Sequence, residues 1–316
     1  MDFTAAVWYR AAPMIARPRH LLAIRGLQRS EVELLLEAAA AHKRARKSGE
    51  VRPVLARKVV ANLFFEDSTR TRSSFEIAAR ALGADVVNWN ARGSSVAKGE
   101  TLLDTARNID VMGPAAIVMR HSASGAAALV ARFVRSSVIN AGDGTHEHPS
   151  QGLLDAFTLK EKLGPLEGKH VLIVGDVLHS RVARSNILCL RLLGAEVSLC
   201  GPPTLVPPEL ESLGARCTYE LDAALEAADA VMMLRIQLER QHQALFPSAR
   251  EYSRRYGLTL ARAARMKKHA IILHPGPINR GLEIAHEVAD GEQNVILDQV
   301  ENGVAMRMAI LERSCA

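Results

Sequence analysis

The chain has 316 residues, 48% apolar and 23% charged, which allows two domains with cores of their own and is ordinary for a globular protein. Its net charge of +6 comes with no run of five like charges and only 4% aromatic residues, which argues against a nucleic-acid binder and suits small anionic substrates. No apolar run approaches the ~20 residues of a membrane span, so no membrane association is expected.

The first segment, 1–19, contains Arg10, Arg17 and Arg19 but lacks the apolar stretch and cleavage site of a secretory leader. It reads as an N-terminal extension, with a transit peptide left open. Helical patterns are expected over 29–45, 69–82, 101–111, 124–134, 149–162, 181–193 and 221–228. Strands are expected over 58–65, 84–90, 115–120, 137–141, 169–175, 195–200, 229–235 and 269–274. This alternation predicts an α/β protein of two domains, each a mainly parallel sheet flanked by helices. The turn-rich Gly164-Pro165-Leu166-Glu167-Gly168 marks a break, and a helix from Pro149 would join the two sheets. The domains are expected over 20–150 and 151–294. A helix over 295–316 follows, with Leu297, Val300, Val304, Met308 and Leu311 at helical spacing. After the strand that ends at Gly175 comes Asp176-Val177-Leu178 rather than a glycine fingerprint, so a nicotinamide cofactor is not expected. The four cysteines, Cys189, Cys200, Cys217 and Cys315, show no Cys-x-x-Cys spacing, so no zinc site is expected. Cys189 and Cys200 read as packing thiols of a reducing, cytoplasmic compartment.

The strongest functional signal is Phe64-Phe65-Glu66-Asp67-Ser68-Thr69-Arg70-Thr71-Arg72-Ser73-Ser74-Phe75-Glu76. Ser68, Thr69, Arg70 and Thr71 stand where the strand hands over to a helix. Unpaired N–H groups and the helix dipole there favour an anion. A plain helix cap with solvated arginines would account for Ser68 and Arg70 singly. The density of hydroxyls beside a guanidinium suits a phosphate. The pattern Glu66-x-Ser68-x-Arg70-Thr71 resembles the carbamoyl-phosphate signature of the aspartate and ornithine transcarbamoylase family, and the resemblance runs from about residue 20 onward.

Other polar groups collect at predicted strand ends, where open parallel sheets bind ligands. They are Arg120 and His121, the loop 142–151, the run Arg235, Gln237 and Arg240, and His274-Pro275-Gly276-Pro277. Any one of them could be a polar residue leaving a strand. Together they point to an active site in the interdomain cleft. The resemblance implies that Arg120 contacts phosphate and the carbonyl oxygen. It implies that His148 donates to that oxygen, although a loop histidine satisfied by backbone would look the same. Gln151 would hold the carbamoyl amide. Ser94 and Lys98 lie in a Gly- and Ser-rich loop that could simply be mobile surface. In the family the matching residues enter the neighbouring subunit's site, which makes a homotrimer obligatory. Arg181 and Arg235 match the arginines that bind the aspartate carboxylates, Gln237 a supporting residue, and Glu66 with Arg240 an interdomain bridge. The Gly276 carbonyl would accept from the substrate, held by Pro275 and Pro277.

The run from His274 to Arg280 lacks the His-Cys-Leu-Pro motif of the ornithine enzymes and matches the aspartate pattern. The resemblance therefore implies carbamoyl transfer from carbamoyl phosphate to the amine of L-aspartate, in pyrimidine synthesis. Catalytic roles fall to Arg70, Thr71, Lys98, Arg120 and His148, without cofactor, metal or covalent intermediate. It also implies that the helix over 295–316 completes the first domain. Transfer to another amine such as ornithine, or a silent assembly homologue, are the alternatives. Higher assembly with a regulatory or dihydroorotase-like chain stays open.

Overall fold

The computed structural model describes residues 19–90, 99–236 and 248–315. The predicted alternation is present. In order come α1 (Arg29–Ser48), β1 (Val59–Phe64), α2 (Thr69–Ala81), β2 (Asp85–Asn90), α3 (Leu102–Asp110), β3 (Ala116–His121), α4 (Ala126–Ala131) and β4 (Ser137–Asp143). Then follow α5 (Pro149–Leu163), β5 (His170–Val174), α6 (Arg181–Leu192), β6 (Glu196–Cys200), β7 (Arg216–Thr218), α7 (Leu221–Ala227) and β8 (Ala230–Met233). The series closes with α8 (Ala249–Tyr256), α9 (Leu260–Ala263), β9 (Ile271–Leu273), α10 (His286–Ala289) and α11 (Ile296–Cys315). The sequence expectation lacks β7, α8, α9 and α10, and a 3₁₀ turn at Pro208–Leu213. Each is short, between three and eight residues, too little for a period to repeat.

The strands form two sheets, ordered β2-β1-β3-β4 and β7-β6-β5-β8-β9, with every pairing parallel. Parallel strands are covered on both faces, which is why β1 and β5 are nearly continuous apolar runs and β4 is buried at every position. In each sheet the strand order reverses once, between β1 and β3 and between β5 and β8. A crevice opens beyond the carboxyl ends of strands at such a reversal. The first reversal carries the start of α2 and Arg120; the second carries Arg181 and Arg235. The β3–β4 register shifts between Met119 and His121, on either side of Arg120.

Helix α5 runs between the two sheets and is buried from Pro149 through Leu159 save for Gln151. Apolar residues surround it because α1, α6 and α11 all pack on it. A Cβ on Gly152 would lie 3.0 Å from the Ser185 carbonyl oxygen, so glycine lets α5 and α6 cross closely. Helix α11 packs against α1, α2 and α5, and Val304, Ala305, Met308, Ile310 and Leu311 join the same core as Val60 and Phe75. Among the described residues no helix is long and apolar enough to cross a membrane. Cys189 and Cys200 are fully buried in these cores, and burial pushes the Cys200 thiol up to about 12 and Cys189 higher still. Neither forms thiolate at neutral pH.

Candidate active site

A cleft of about 580 Å³ lies between the carboxyl ends of the two sheets. Its first wall is the turn from β1 into α2. Ser68 is the N-cap residue of α2, yet its side chain caps nothing. The first turn of α2 holds no acidic residue. The simple-cap explanation of Ser68 therefore fails. Ser68 lines the cleft with Thr69 and Thr71, at a helix start whose first turn carries no acidic residue of its own. Arg70 reaches across to Gly276, where a Cβ would overlap its guanidinium. Gly276 has φ of 62° and is followed by a cis peptide to Pro277. Partial burial and the nearby Arg235 hold the Arg70 guanidinium below its ordinary value.

Behind this wall Glu66 joins two arginines from different sheets. Its carboxylate lies 3.2 Å from Arg120 Nε and 2.7 Å from Arg181 Nη2. Arg181 also donates to the Gly144 carbonyl at 3.2 Å, and Arg120 to that of Ala141 at 3.4 Å. These contacts aim both guanidinium groups at the cleft. Arg240, the expected partner of Glu66, lies outside the described residues, as do Ser94, Lys98 and Gln237.

His148 precedes α5 and is buried at 4% exposure. Its backbone N–H donates to Ser185 Oγ at 2.9 Å, and that hydroxyl donates to Glu147 at 2.9 Å. Glu147 in turn accepts from the Ile24 N–H at 2.7 Å, so the loop is tied to both α6 and the start of the first domain. Ser150 Oγ sits 3.4 Å from His148 Nδ1. A hydroxyl in that position suits the tautomer protonated on Nε2. Burial, then Arg120, Arg181 and Arg307, hold this histidine well below its ordinary value. At neutral pH it is an uncharged donor.

The second wall contains Arg181, Arg235, Gly276 and Pro277. The Gly276 loop is pinned by His274, whose Nδ1 accepts from the Gly276 N–H at 2.7 Å and whose Nε2 meets Glu283 at 3.1 Å. Gln151 lines the cleft floor and donates its amide to Asp155 at 2.9 Å, leaving its carbonyl oxygen to other donors. Asp155 is fully buried and accepts also from Gln299 at 2.7 Å and Asn186 at 2.8 Å. Burial raises its pKa to about 6, against these hydrogen bonds and the charge of Arg307. Arg307 lies over the Phe75 ring at 5.2 Å and is pushed down to about 10 by burial, so it stays charged at neutral pH.

The structure thus brings together Ser68, Thr69, Arg70, Thr71, Arg120, His148, Gln151, Arg181, Arg235, Gly276 and Pro277 around one cleft. Sequence reasoning missed Asp155, Gln299 and Arg307. Each interrupts an apolar helix face, which was the available signal: a charged or amide residue on a stripe otherwise reserved for the core. Five arginines line or underlie the cleft against the carboxylates of Glu66, Asp67 and Asp155, which makes it a receptor for a multiply charged anion.

Two family models cover nearly the whole described chain. Residues 19–161 match the carbamoyl-phosphate-binding domain of aspartate/ornithine carbamoyltransferase, and 167–313 match its aspartate/ornithine-binding domain. The chain belongs to the aspartate/ornithine carbamoyltransferase family. Among family members it is 66% identical to the aspartate carbamoyltransferase catalytic subunit of Myxococcus xanthus, over 93% of this chain and 98% of that one. It is 57% identical to the catalytic subunit of an Anaeromyxobacter species, over 94% and 95%. Aspartate transcarbamoylase from Trypanosoma cruzi, solved with carbamoyl phosphate and aspartate, superposes with a TM-score of 0.86 at 30% identity, over 95% of this chain and 98% of that one. The same enzyme with N-(phosphonacetyl)-L-aspartic acid gives 0.86 as well.

Proposed function

We propose that this chain transfers the carbamoyl group of carbamoyl phosphate to the amine of L-aspartate. The products are N-carbamoyl-L-aspartate and phosphate, a step in pyrimidine biosynthesis. The observation that carries this is the composition of the cleft. An open helix N-terminus with three hydroxyls faces it from one sheet, and Arg181 and Arg235 face it from the other. The relatives' names and the Trypanosoma cruzi ligands support the same substrates.

In this reading Ser68, Thr69, Arg70 and Thr71 bind the phosphate group, with Arg120 spanning phosphate and carbonyl oxygen. The aspartate nitrogen attacks the carbamoyl carbon, the carbon–oxygen bond to phosphate breaks, and the leaving phosphate takes the amine proton. Negative charge builds on the carbonyl oxygen in between. The uncharged Nε2–H of His148 and the Arg120 guanidinium stabilise it, a contribution of ~10²–10³ per donor. Gln151 accepts from the carbamoyl NH₂ through its free carbonyl. Arg181, Arg235 and Gln237 hold the aspartate carboxylates, and the Gly276 carbonyl accepts from the amine. Lys98 and Ser94 complete the site from a neighbouring subunit of a cytoplasmic homotrimer, with room for a further regulatory or dihydroorotase-like partner. The first domain spans 20–150 and is completed by 295–316; the second spans 151–294. The two sheets and the packing of α11 on α1 and α2 support that division.

The test is a colorimetric assay of the purified chain with carbamoyl phosphate and either L-aspartate or L-ornithine. Carbamoyl-aspartate alone is the expected product. Product only with ornithine overturns the assignment of Arg181 and Arg235. Shared sites are checked by mixing inactive Lys98→Ala and Arg120→Ala chains, which should regain activity on reassembly.

A further inference from the structure

We infer that Asp155 is the positioning residue that sets the amide polarity of both half-sites, an inference that rests on the carbamoyl-transfer reading above. Its carboxylate touches no part of the cleft surface; it lies beneath it, fully buried, where α5, α6 and α11 meet. An ionised carboxylate can only accept hydrogen bonds. Oδ1 accepts from Gln151 Nε2 at 2.9 Å and from Gln299 Nε2 at 2.7 Å, and Oδ2 accepts from Asn186 Nδ2 at 2.8 Å.

The consequence lies at the other end of each amide. With its NH₂ spent on Asp155, Gln151 must turn its oxygen toward the cleft, where an incoming carbamoyl group offers N–H donors. Gln299 must likewise turn its oxygen away from Asp155, and that oxygen accepts the His274 N–H at 2.9 Å. His274 then receives the Gly276 N–H on Nδ1 at 2.7 Å, which fixes the loop on the amino-acid side. A single acceptor therefore orders the carbamoyl contact directly and the Gly276 loop through Gln299 and His274. Were either glutamine to flip, a buried N–H pair would face another donor, at the cost of an unmade buried hydrogen bond. Asn186 cannot serve as the organiser, because its Nδ2 also donates to the Val182 carbonyl at 3.0 Å within α6.

The experiment uses the full-length chain and steady-state kinetics with carbamoyl phosphate and L-aspartate. Wild-type activity comes first: an inactive wild type refutes the carbamoyl-transfer reading and the positioning inference with it. With active wild type, Asp155→Leu should lower kcat about 10²-fold, the scale of a small misplacement of reacting groups. Asp155→Asn should restore part of it, because an amide oxygen turned to the Oδ1 side still accepts from both glutamines while the new NH₂ meets the Asn186 donor. Gln299→Leu severs only the branch to the loop. It should raise the KM for aspartate about five- to tenfold, one hydrogen bond's worth, with little change in the KM for carbamoyl phosphate. In the Asp155→Leu background Gln299→Leu should cost almost nothing further. Folded Asp155→Leu with kcat and both KM values within twofold of wild type overturns the inference. Equal losses in the Asn and Leu variants overturn it too. If Asp155→Leu does not fold, Gln299→Leu decides: equal changes in both KM values refute the branch to the loop.

Discussion

The two walls of the cleft are built in opposite ways. The first wall comes from four consecutive residues, Ser68 to Thr71, at the open start of one helix, and their side chains need little from elsewhere. The second wall comes from Arg181, Arg235 and the Gly276 loop, on three separate segments. Those segments are held by buried polar contacts among α5, α6, α11 and the loop after β9. A site made from one turn is carried by local backbone geometry. A site made from dispersed segments has to be held by the interior of the protein. Substitutions on the first wall should therefore change chemistry without changing the fold, and those on the second should couple the two.

Arg70→Ala gives the largest effect and the sharpest form of the contrast. Arg70 is exposed in the cleft and takes no part in a core, so turnover should fall ~10²–10³-fold and phosphate affinity with it, while the thermal midpoint stays within a degree or two of wild type. A variant that melts far earlier would break the distinction. Glu66→Gln comes next. It removes the charge that Arg120 and Arg181 share across the two sheets, and the KM for aspartate should rise roughly tenfold, as for a partly desolvated ion pair that loses one partner. An unchanged KM would show that the two arginines hold their places without it.

His148 should be read through pH. It is neutral in the fold and charges on unfolding below its ordinary value of 6.5. Its contribution to stability is therefore complete above that pH and shrinks below it, by up to about 1.4 kcal/mol per pH unit. Asp155 works the other way. Its carboxyl takes up a proton near pH 6 in the fold and only near its ordinary 3.8 when unfolded, so acid favours the fold in that interval. Between pH 6.5 and 5.5 wild type should lose stability relative to His148→Gln in urea titrations; parallel curves would place a charged imidazole in the fold. Ser68→Ala is the mildest. Losing an N-cap serine commonly costs ~0.5–2 kcal/mol, but this hydroxyl caps nothing. Denaturation should shift by less than about 0.5 kcal/mol while phosphate binding weakens several-fold. A full capping loss would mean that Ser68 turns inward in solution.

What was legible in the sequence follows the same division. Ser68 to Thr71, Arg120 and His148 follow strands whose apolar runs are unmistakable, so strand ends and candidate site coincided. Arg235 could be found because it ends a predicted strand, Arg181 because it follows a strand-end loop, and both because they match the family's aspartate-binding arginines. Asp155, Gln299 and Arg307 showed only as interruptions of apolar helix faces, because helical periodicity records which face is buried and is silent about which buried polar groups meet. Three helices converge on Asp155, and no spacing along the chain encodes that convergence. The short α8, α9, α10 and β7 escaped for a different reason. They are fixed by the tertiary surface they complete, with too few residues to repeat a pattern.

Helix α11 has a consequence in time. It follows every strand of both sheets in the chain, yet its apolar face belongs to the core beneath α1 and α2. Ribosomal synthesis proceeds from the N-terminus and domains fold as they emerge. The first sheet, with α1 and α2, is therefore made early and then waits, with a seam of apolar surface uncovered, through the synthesis of the entire second sheet. Arg307 and Gln299 arrive in the same helix that closes that seam. The nascent chain is consequently incomplete as a catalyst for as long as it is incomplete as a fold.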